Sequence, residues 1–378
     1  MIRFLEDHQK EMLRLLEELV NIDSGSHDKA GVDKIGRLLK ELFEQQGFVV
    51  DEYAQEDYGN HLRIRHRDAI DPKIIILAHM DTVFPKGTVK ERPFRIEGNK
   101  AYGPGVIDMK GSLVSLYYAM VALLQFNLSG VKNVQIFINS DEEVGSVTSR
   151  RLIEQFAQGK KYALVMEPAR KNGFLVTSRR GNGSYTLEIH GKAAHSGIEP
   201  EKGRSAIEEL AHKVIQLHKL SDPEHGIHVN VGVIEGGSAV NIVSDHAIAK
   251  IDIRISEMEQ LKLLKQELEK ICATTDVNGT TVSLQGHMNR PPMKKTEKTE
   301  KLLSVIKEVG DMIGVDIHDT ATGGGSDASF PAALGIATID GLGPVGGNAH
   351  SDKEYLDLES LIPRTQLLAE TIQRLSEK

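Results

Sequence analysis

The sequence holds one cysteine, Cys272, in 378 residues, so no intrachain disulfide is possible. Cys272 lies in a helical pattern, where a buried packing role is the ordinary reading, and a reducing cytoplasm is the expected location. No unbroken run of about 18 apolar residues occurs, so no membrane span is expected. The opening residues Met1 to Asp7 lack the apolar stretch of a signal peptide. An excess of positive charge is also missing. Lys and Arg number 46 against 54 Asp and Glu, a net charge of −8, which argues against a nucleic-acid or anionic-membrane partner. There is no H-E-x-x-H motif. The triplet Gly323-Gly324-Gly325 lacks the lysine spacing of a P-loop. No internal repeat or low-complexity segment interrupts the chain.

The composition that remains is that of an ordinary globular protein, 40% hydrophobic and 26% charged. The length favours two domains. Met12, Leu15, Leu16 and Leu19, then Val32, Ile35, Leu39 and Leu42, fall at helical spacing, and Gly47 closes the second helix. Ile74 to Ala78 is a continuous apolar run, the mark of a strand covered on both faces. Val134 to Ile138 and Tyr162 to Met166 are similar, with a long apolar helix from about Gly111 to Phe126 between them. Alternating strands and helices imply an α/β layer around a mostly parallel sheet.

The style changes near residue 180. Ser184 to His190 alternates as a half-buried strand does. A helix follows with Ile207, Leu210, Ala211 and Val214 on one face. Strands come at His228 to Ile234 and His246 to Ile255, then a helix from Glu257 to Ala273 and a strand at Thr281 to Gln285. That order is βαββαβ, the ferredoxin-like unit. The expected organisation is therefore an α/β domain over residues 1–179 and 292–378, interrupted by an α+β domain over 180–291 of ordinary domain size.

Five acidic or histidine sites share one kind of position. His79 follows the first buried run, Glu143 in Asp141-Glu142-Glu143 the second, and Glu167 the third. Asp108 precedes the long helix, and His350 lies in the glycine-rich Gly343 to His350. In open α/β sheets ligands gather at the carboxyl ends of strands. Two histidines and three carboxylates suit zinc. A paired site needs a bridging carboxylate, for which Asp108 is the natural candidate. Two Zn²⁺ against three carboxylates leave a charge near +1, which favours a bound hydroxide and an anionic substrate. Taken singly, each residue has a plainer reading: a surface histidine, a solvated acidic turn, a flexible glycine loop.

The segments His79 to Thr82, Gly103 to Gly111, Asp141 to Ser146, Met166 to Pro168 and His350 to Asp352 together resemble the motif set of the co-catalytic zinc peptidase family. That family includes glutamate carboxypeptidase, acetylornithine deacetylase, succinyl-diaminopimelate desuccinylase and aminoacylase. The resemblance runs through nearly the whole chain, and His79 to Thr88 is closest to the glutamate carboxypeptidase branch. It implies two Zn²⁺ per chain, with Co²⁺ or Mn²⁺ as substitutes. His79 and His350 would bind one metal each, Asp108 would bridge, and Glu143 and Glu167 would complete one ligand each. Asp81 would orient the His79 imidazole, and Glu142 would act as general base. Family resemblance also implies a cis bond from Asp108 to Met109, which stands where Asp or Asn is commoner.

In the inserted domain, which the resemblance makes a lid and dimerisation domain, His195 matches a histidine that donates to the oxyanion in the partner subunit's site. Asn241 and Arg254 match residues that hold the substrate carboxylate, for which a forked guanidinium is suited. Gly324, Gly325 and Ser326 would line the substrate. The expected function is hydrolysis of an amide bond in a small peptide or N-acyl amino acid, by a homodimer. Deacylase and dipeptidase activities stay open, as do a non-catalytic metal-binding protein and, more remotely, a phosphoesterase.

Overall fold

The computed structural model describes residues 1–377, which divide into two compact units. The first comprises residues 1–178, 295–322 and 326–377. The second comprises 179–294 together with Gly323–Gly325. The insertion thus begins one residue earlier and ends three later than the pattern change suggests. It also takes the glycine triplet, which composition assigns to the other unit.

The first unit is built on a six-stranded sheet. Its strands are β1 (Phe48–Tyr53), β2 (His61–His66), β3 (Ile74–His79), β4 (Val134–Asn139) and β5 (Tyr162–Val165), with Ala337–Ile339 at one edge. The spatial order is β1, β2, β4, β3, β5, then the edge strand. From β4 onward all neighbours run parallel, while β1 and β2 add an antiparallel margin. Every residue of β3 and β4 is buried, which is why both read as unbroken apolar runs. Full burial of an Ile or Val contributes roughly 1.5–3 kcal/mol each, so these central strands anchor the sheet.

Helices cover it: α1 (Gln9–Val20), α2 (Lys29–Gln45), α3 (Gly111–Gln125), and the later helices Glu297–Ile313 and Leu358–Ser376. Segment Val106–Gln125 meets the length and hydropathy of a membrane span, but 89% of its most apolar window is buried inside the fold. It is a core helix, and that burial accounts for its apolarity all round. A small sheet joins Arg95–Glu97, Lys100–Tyr102, Gly346–Gly347 and Tyr355–Asp357. The Gly346–Gly347 strand pairs directly with Tyr355 and Leu356, so residues 348–354 form the tip of a hairpin.

The second unit is a four-stranded antiparallel sheet of β6 (Gly181–His190), β7 (His228–Gly236), β8 (His246–Ile255) and β9 (Thr281–Arg290), in the order β7, β8, β6, β9. Helices α4 (Ala206–His218) and α5 (Met258–Ala273) cover one face. Strict alternation in β6 sends Tyr185, Leu187 and Ile189 inward and Ser184, Thr186 and His190 outward. This is the expected βαββαβ unit. Cys272, on α5, is half-buried rather than sealed in the core.

Candidate metal centre

β3 delivers His79 to the end of a fully buried strand. Its Nδ1 lies 3.0 Å from the Asp81 carbonyl oxygen and 3.4 Å from the Asp81 carboxylate. That side of the ring is taken up by hydrogen bonding, so Nε2 is the free ligand atom. Nε2 stands 3.1 Å from Asp108 Oδ1 and 3.8 Å from Glu167 Oε1. The Asp81 carboxylate does more than orient the imidazole. It accepts from the Ser26 hydroxyl at 2.7 Å and from the backbone N–H groups of Glu142 and Glu143 at 3.2 and 3.1 Å. One buried carboxylate therefore fixes both the histidine and the acidic turn after β4.

Within that turn the acids divide. Asp141 is fully buried and accepts from the backbone and hydroxyl groups of Thr148 and Ser149. It closes the loop from the inside. Glu142 and Glu143 face the centre. Glu142 has a carboxylate oxygen within 4.8 Å of ligand atoms of both His79 and Glu167.

Asp108 sits in a turn that opens with Gly105 at φ 73°. A Cβ there would lie 2.5 Å from the Thr82 side chain, so the tight approach to the His79 segment needs glycine. The Asp108–Met109 bond is cis, in line with the family resemblance. Glu354 holds this turn, accepting from the N–H groups of Gly105, Ile107 and Asp108 at 3.1, 2.9 and 3.1 Å. Glu354 and His350 share the hairpin tip. His350 adopts φ 64°, and its Nε2 lies 3.2 Å from Asp108 Oδ2 and 3.2 Å from Glu143 Oε2. Glu167 follows β5, where the Gly343 N–H donates to its carbonyl at 2.9 Å. A Cβ on Gly343 would stand 2.9 Å from that same oxygen. Arg364 then grips the carbonyls of Gly343 and Gly341 at 2.9 and 2.5 Å.

The two oxygens of Asp108 thus face two different imidazoles, with Glu167 on the His79 side and Glu143 on the His350 side. This is the arrangement of a carboxylate bridging two cation positions about 3.5–4 Å apart. The electrostatics agree. Burial and then the Asp108 and Glu142 charges push Glu167 well above the usual carboxylate range. Burial likewise raises Glu143. Hydrogen bonds to Asp108 and then Glu143 push His350 up to about 11. Burial opposes a charged His79, yet Asp108 and Asp81 still raise it. Burial also works against ionised Asp108, but its bonds to His350 and His79 hold it low. The pocket is short of positive charge. Among the described residues, Glu143 Oε1 is buried with no hydrogen-bond partner, which a bound cation would satisfy. The residues present fit a pair of divalent metals.

In the second unit, His195 and Asn241 come together. Ala194–His195 pairs with Ile242–Val243, and the Ser196 N–H donates to the Asn241 carbonyl at 3.0 Å. His195 is exposed and its Nδ1 accepts from the Gly197 N–H at 3.1 Å, which leaves Nε2 as the ring's donor nitrogen. Arg254 donates to Asp252 at 2.8 Å and reaches the Gly323 carbonyl at 3.4 Å. Arg179 donates to Gly324 O at 2.9 Å. The glycine triplet therefore offers carbonyls to arginines, a use not evident from sequence. Ser326, in the first unit, departs from the expected substrate-facing role. It is buried and its hydroxyl donates to Asp340 at 2.5 Å, so the side chain is spent inside the fold.

Sequence reasoning missed Ser26, Glu354 and Arg364. Only the Ser351-Asp352-Lys353-Glu354 stretch beside His350 carried a local signal, an acid four residues from a ligand.

A parallel-centred α/β unit that gathers two imidazoles and three carboxylates around Asp108 suits a metal-dependent hydrolase. The chain belongs to peptidase family M20/M25/M40, whose model matches residues 75–374. It is 31% identical over 371 residues to carboxypeptidase G2 of Pseudomonas sp. (strain RS-16), covering 96% of this chain and 88% of that one. It is 26% identical over 383 residues to succinyl-diaminopimelate desuccinylase of Thioalkalivibrio sulfidiphilus (strain HL-EbGR7), covering 96% and 98%. Among solved structures, aminopeptidase PepT from Bacillus cereus ATCC 10987 matches with a TM-score of 0.79 and 25% identity, over 97% and 99% of the two chains. The chain is a hydrolase of metallopeptidase type.

Proposed function

We propose that this hydrolase uses two Zn²⁺ ions to cleave an amide bond in a small peptide or N-acyl amino acid bearing a free carboxylate, with C-terminal glutamate conjugates as the first class to test. The observation that carries the reading is Asp108, whose oxygens stand 3.1 and 3.2 Å from the two imidazoles. When bound, the metal pair supplies Lewis acidity and lowers the pKa of a water toward neutrality. His79 with Glu167, and His350 with Glu143, would hold one ion each, and Asp108 both. Glu142 is not needed as a ligand, and it takes the proton from the attacking water and returns it to the leaving nitrogen. His195, through its Nε2–H, donates to the developing oxyanion in the partner's site of a homodimer. Arg254 and Asn241 bind the substrate carboxylate. A cavity of about 490 Å³ beside Glu143, with Val83, Phe84, Pro85 and Val144 in its wall, provides room for an apolar part of the substrate.

The 31% relative named as a carboxypeptidase favours the peptide reading, and the desuccinylase relative keeps N-acyl amino acids in the test. Purified zinc-loaded protein is assayed against C-terminal glutamate conjugates, dipeptides, N-acetyl and N-succinyl amino acids, and phosphoesters. Hydrolysis confined to carboxylate-bearing amides is the expected result, and hydrolysis of phosphoesters alone would overturn it. Glu142→Gln should keep two metals per chain and lower turnover by about 10²–10⁴-fold. Near-normal turnover in that variant would end the general-base assignment. Mixing His195→Ala with Glu142→Gln protein should restore part of the activity through subunit exchange, and no recovery would count against sharing between subunits.

A further inference from the structure

The open face of the inserted unit's sheet carries three ligand-type side chains that the hydrolytic centre does not use. Glu188 and His190 lie two residues apart on β6, so both project from the same face. His246, the first residue of β8, is the direct cross-strand partner of His190. The three offer ligand atoms that all lie within 4.8 Å of one another. His246 Nε2 is 2.8 Å from Glu188 Oε1, and His190 Nε2 is 3.5 Å from the same oxygen. The imidazole centroids are 5.1 Å apart, with their planes inclined by 35°.

We propose that Glu188, His190 and His246 form a further binding site for a borderline divalent transition metal such as Zn²⁺, independent of the catalytic pair. An ordinary ion pair accounts for only part of the geometry. One imidazole at 2.8 Å makes a full hydrogen bond to the carboxylate. The second aims the same nitrogen at the same oxygen, but 3.5 Å is beyond the usual hydrogen-bond range. Tetrahedral zinc, with bonds of about 2.0–2.1 Å to nitrogen and about 2.0–2.2 Å to oxygen, sets its ligand atoms roughly 3.3 Å apart, between the two observed distances. Two imidazoles with one carboxylate suit zinc, copper or nickel and not magnesium or calcium.

The scaffold is stiff where it matters. His190 and His246 sit opposite each other in an antiparallel ladder, and β9 flanks the other side with Thr281 opposite His190 and Ser283 opposite Glu188. These flanking side chains are short. His190 and His246 are exposed and Glu188 half-buried, so the site is reachable and water completes the coordination. A metal there would tie β6 to β8 through side chains as well as through the ladder.

The test uses the full-length protein dialysed to equilibrium against a buffered excess of free Zn²⁺, followed by metal and protein analysis. Wild type is compared with the His190→Ala/His246→Ala double variant, and circular dichroism confirms that both are folded. The expected result is one more zinc per chain in the wild type than in the variant, with equal hydrolytic rates at the same zinc concentration. Glu188→Gln should weaken uptake of that extra ion while sparing the rest. Equal zinc content in wild type and double variant overturns the proposal, whatever the total. A magnesium arm is included, and a matching extra equivalent of Mg²⁺ would overturn the assignment to transition metals.

Discussion

The two units hold most of their functional residues differently, although His350 of the first is exposed and Arg254 of the second is half-buried. In the first, His79, Asp81 and Glu167 are buried; Asp81 and Glu167 are tied by hydrogen bonds to backbone far away in sequence, and His79 is held in turn by Asp81. In the second, His195 and Asn241 are exposed, and the Asn241 backbone carbonyl accepts from Ser196. Buried charge demands a complete set of partners, and a metal centre built this way holds its geometry before any substrate arrives. Exposed polar groups cost little to keep and contribute mainly when a ligand meets them. Substitutions in the first unit should therefore change metal binding, and those in the second should change substrate affinity with the metals left in place.

The largest effect belongs to the bridge. Asp108→Ala removes a group whose two oxygens face the two imidazoles and should abolish binding of both ions, with a rate loss on the order of a thousandfold or more. Metal analysis after dialysis checks it, and retention of two ions would show that Asp108 does not bridge. Next comes Glu354. Glu354→Ala strips the acceptor from three N–H groups of the Asp108 turn and should weaken metal affinity by about 10–100-fold, the usual effect of losing a residue behind the ligands. A chelator-competition titration reads it. Unchanged affinity would mean that the turn holds Asp108 without help.

Metal uptake should also depend on pH, with a definite sign. His350 is held up to about 11 by its hydrogen bonds to Asp108 and Glu143, so in metal-free protein its ring carries a proton at neutral pH. A cation can bind Nε2 only when that proton leaves. Affinity should rise with pH, by about tenfold per unit for each proton released. Calorimetry in buffers of different ionisation enthalpy counts those protons, and a count of zero would refute the competition.

How much of this was legible beforehand follows from how local each signal is. Four of the five candidate ligands were readable because each follows a buried apolar run or precedes an apolar helix, as β3 does for His79 and α3 for Asp108, whereas His350, in a glycine-rich hairpin, stood out only through the family resemblance. The ferredoxin-like unit was readable from the alternation in β6 and β8. Contacts across the chain were not. Glu354 reaches the Asp108 N–H from 246 positions away, and no periodicity marks such a pairing. Asp141 and Glu142 are adjacent and both acidic, yet one closes a loop and the other faces the centre; only the direction of the turn decides. Gly323–Gly325 looked like a flexible loop, and arginine donors at their carbonyls are invisible until the chain is folded.

Arg254, half-buried, and Asn241, exposed, test the second unit's half of the comparison. Arg254→Ala removes charge-assisted hydrogen bonds worth about 1.5–3 kcal/mol, so KM for a carboxylate-bearing substrate should rise by about 10–100-fold while two metals remain bound. Loss of metal in that variant would break the division between the units. Asn241→Ala is the gentlest change and the sharpest control. Its backbone carbonyl, which accepts from Ser196, is kept by alanine, and the amide it loses is solvent-exposed. Unfolding free energy should stay within about 0.5 kcal/mol of wild type, and metal content should be unchanged. A rise in KM with no shift in the melting curve would then come from substrate recognition alone. A lowered melting temperature would instead show that the exposed loop is part of the fold's support and not a surface held ready for a ligand.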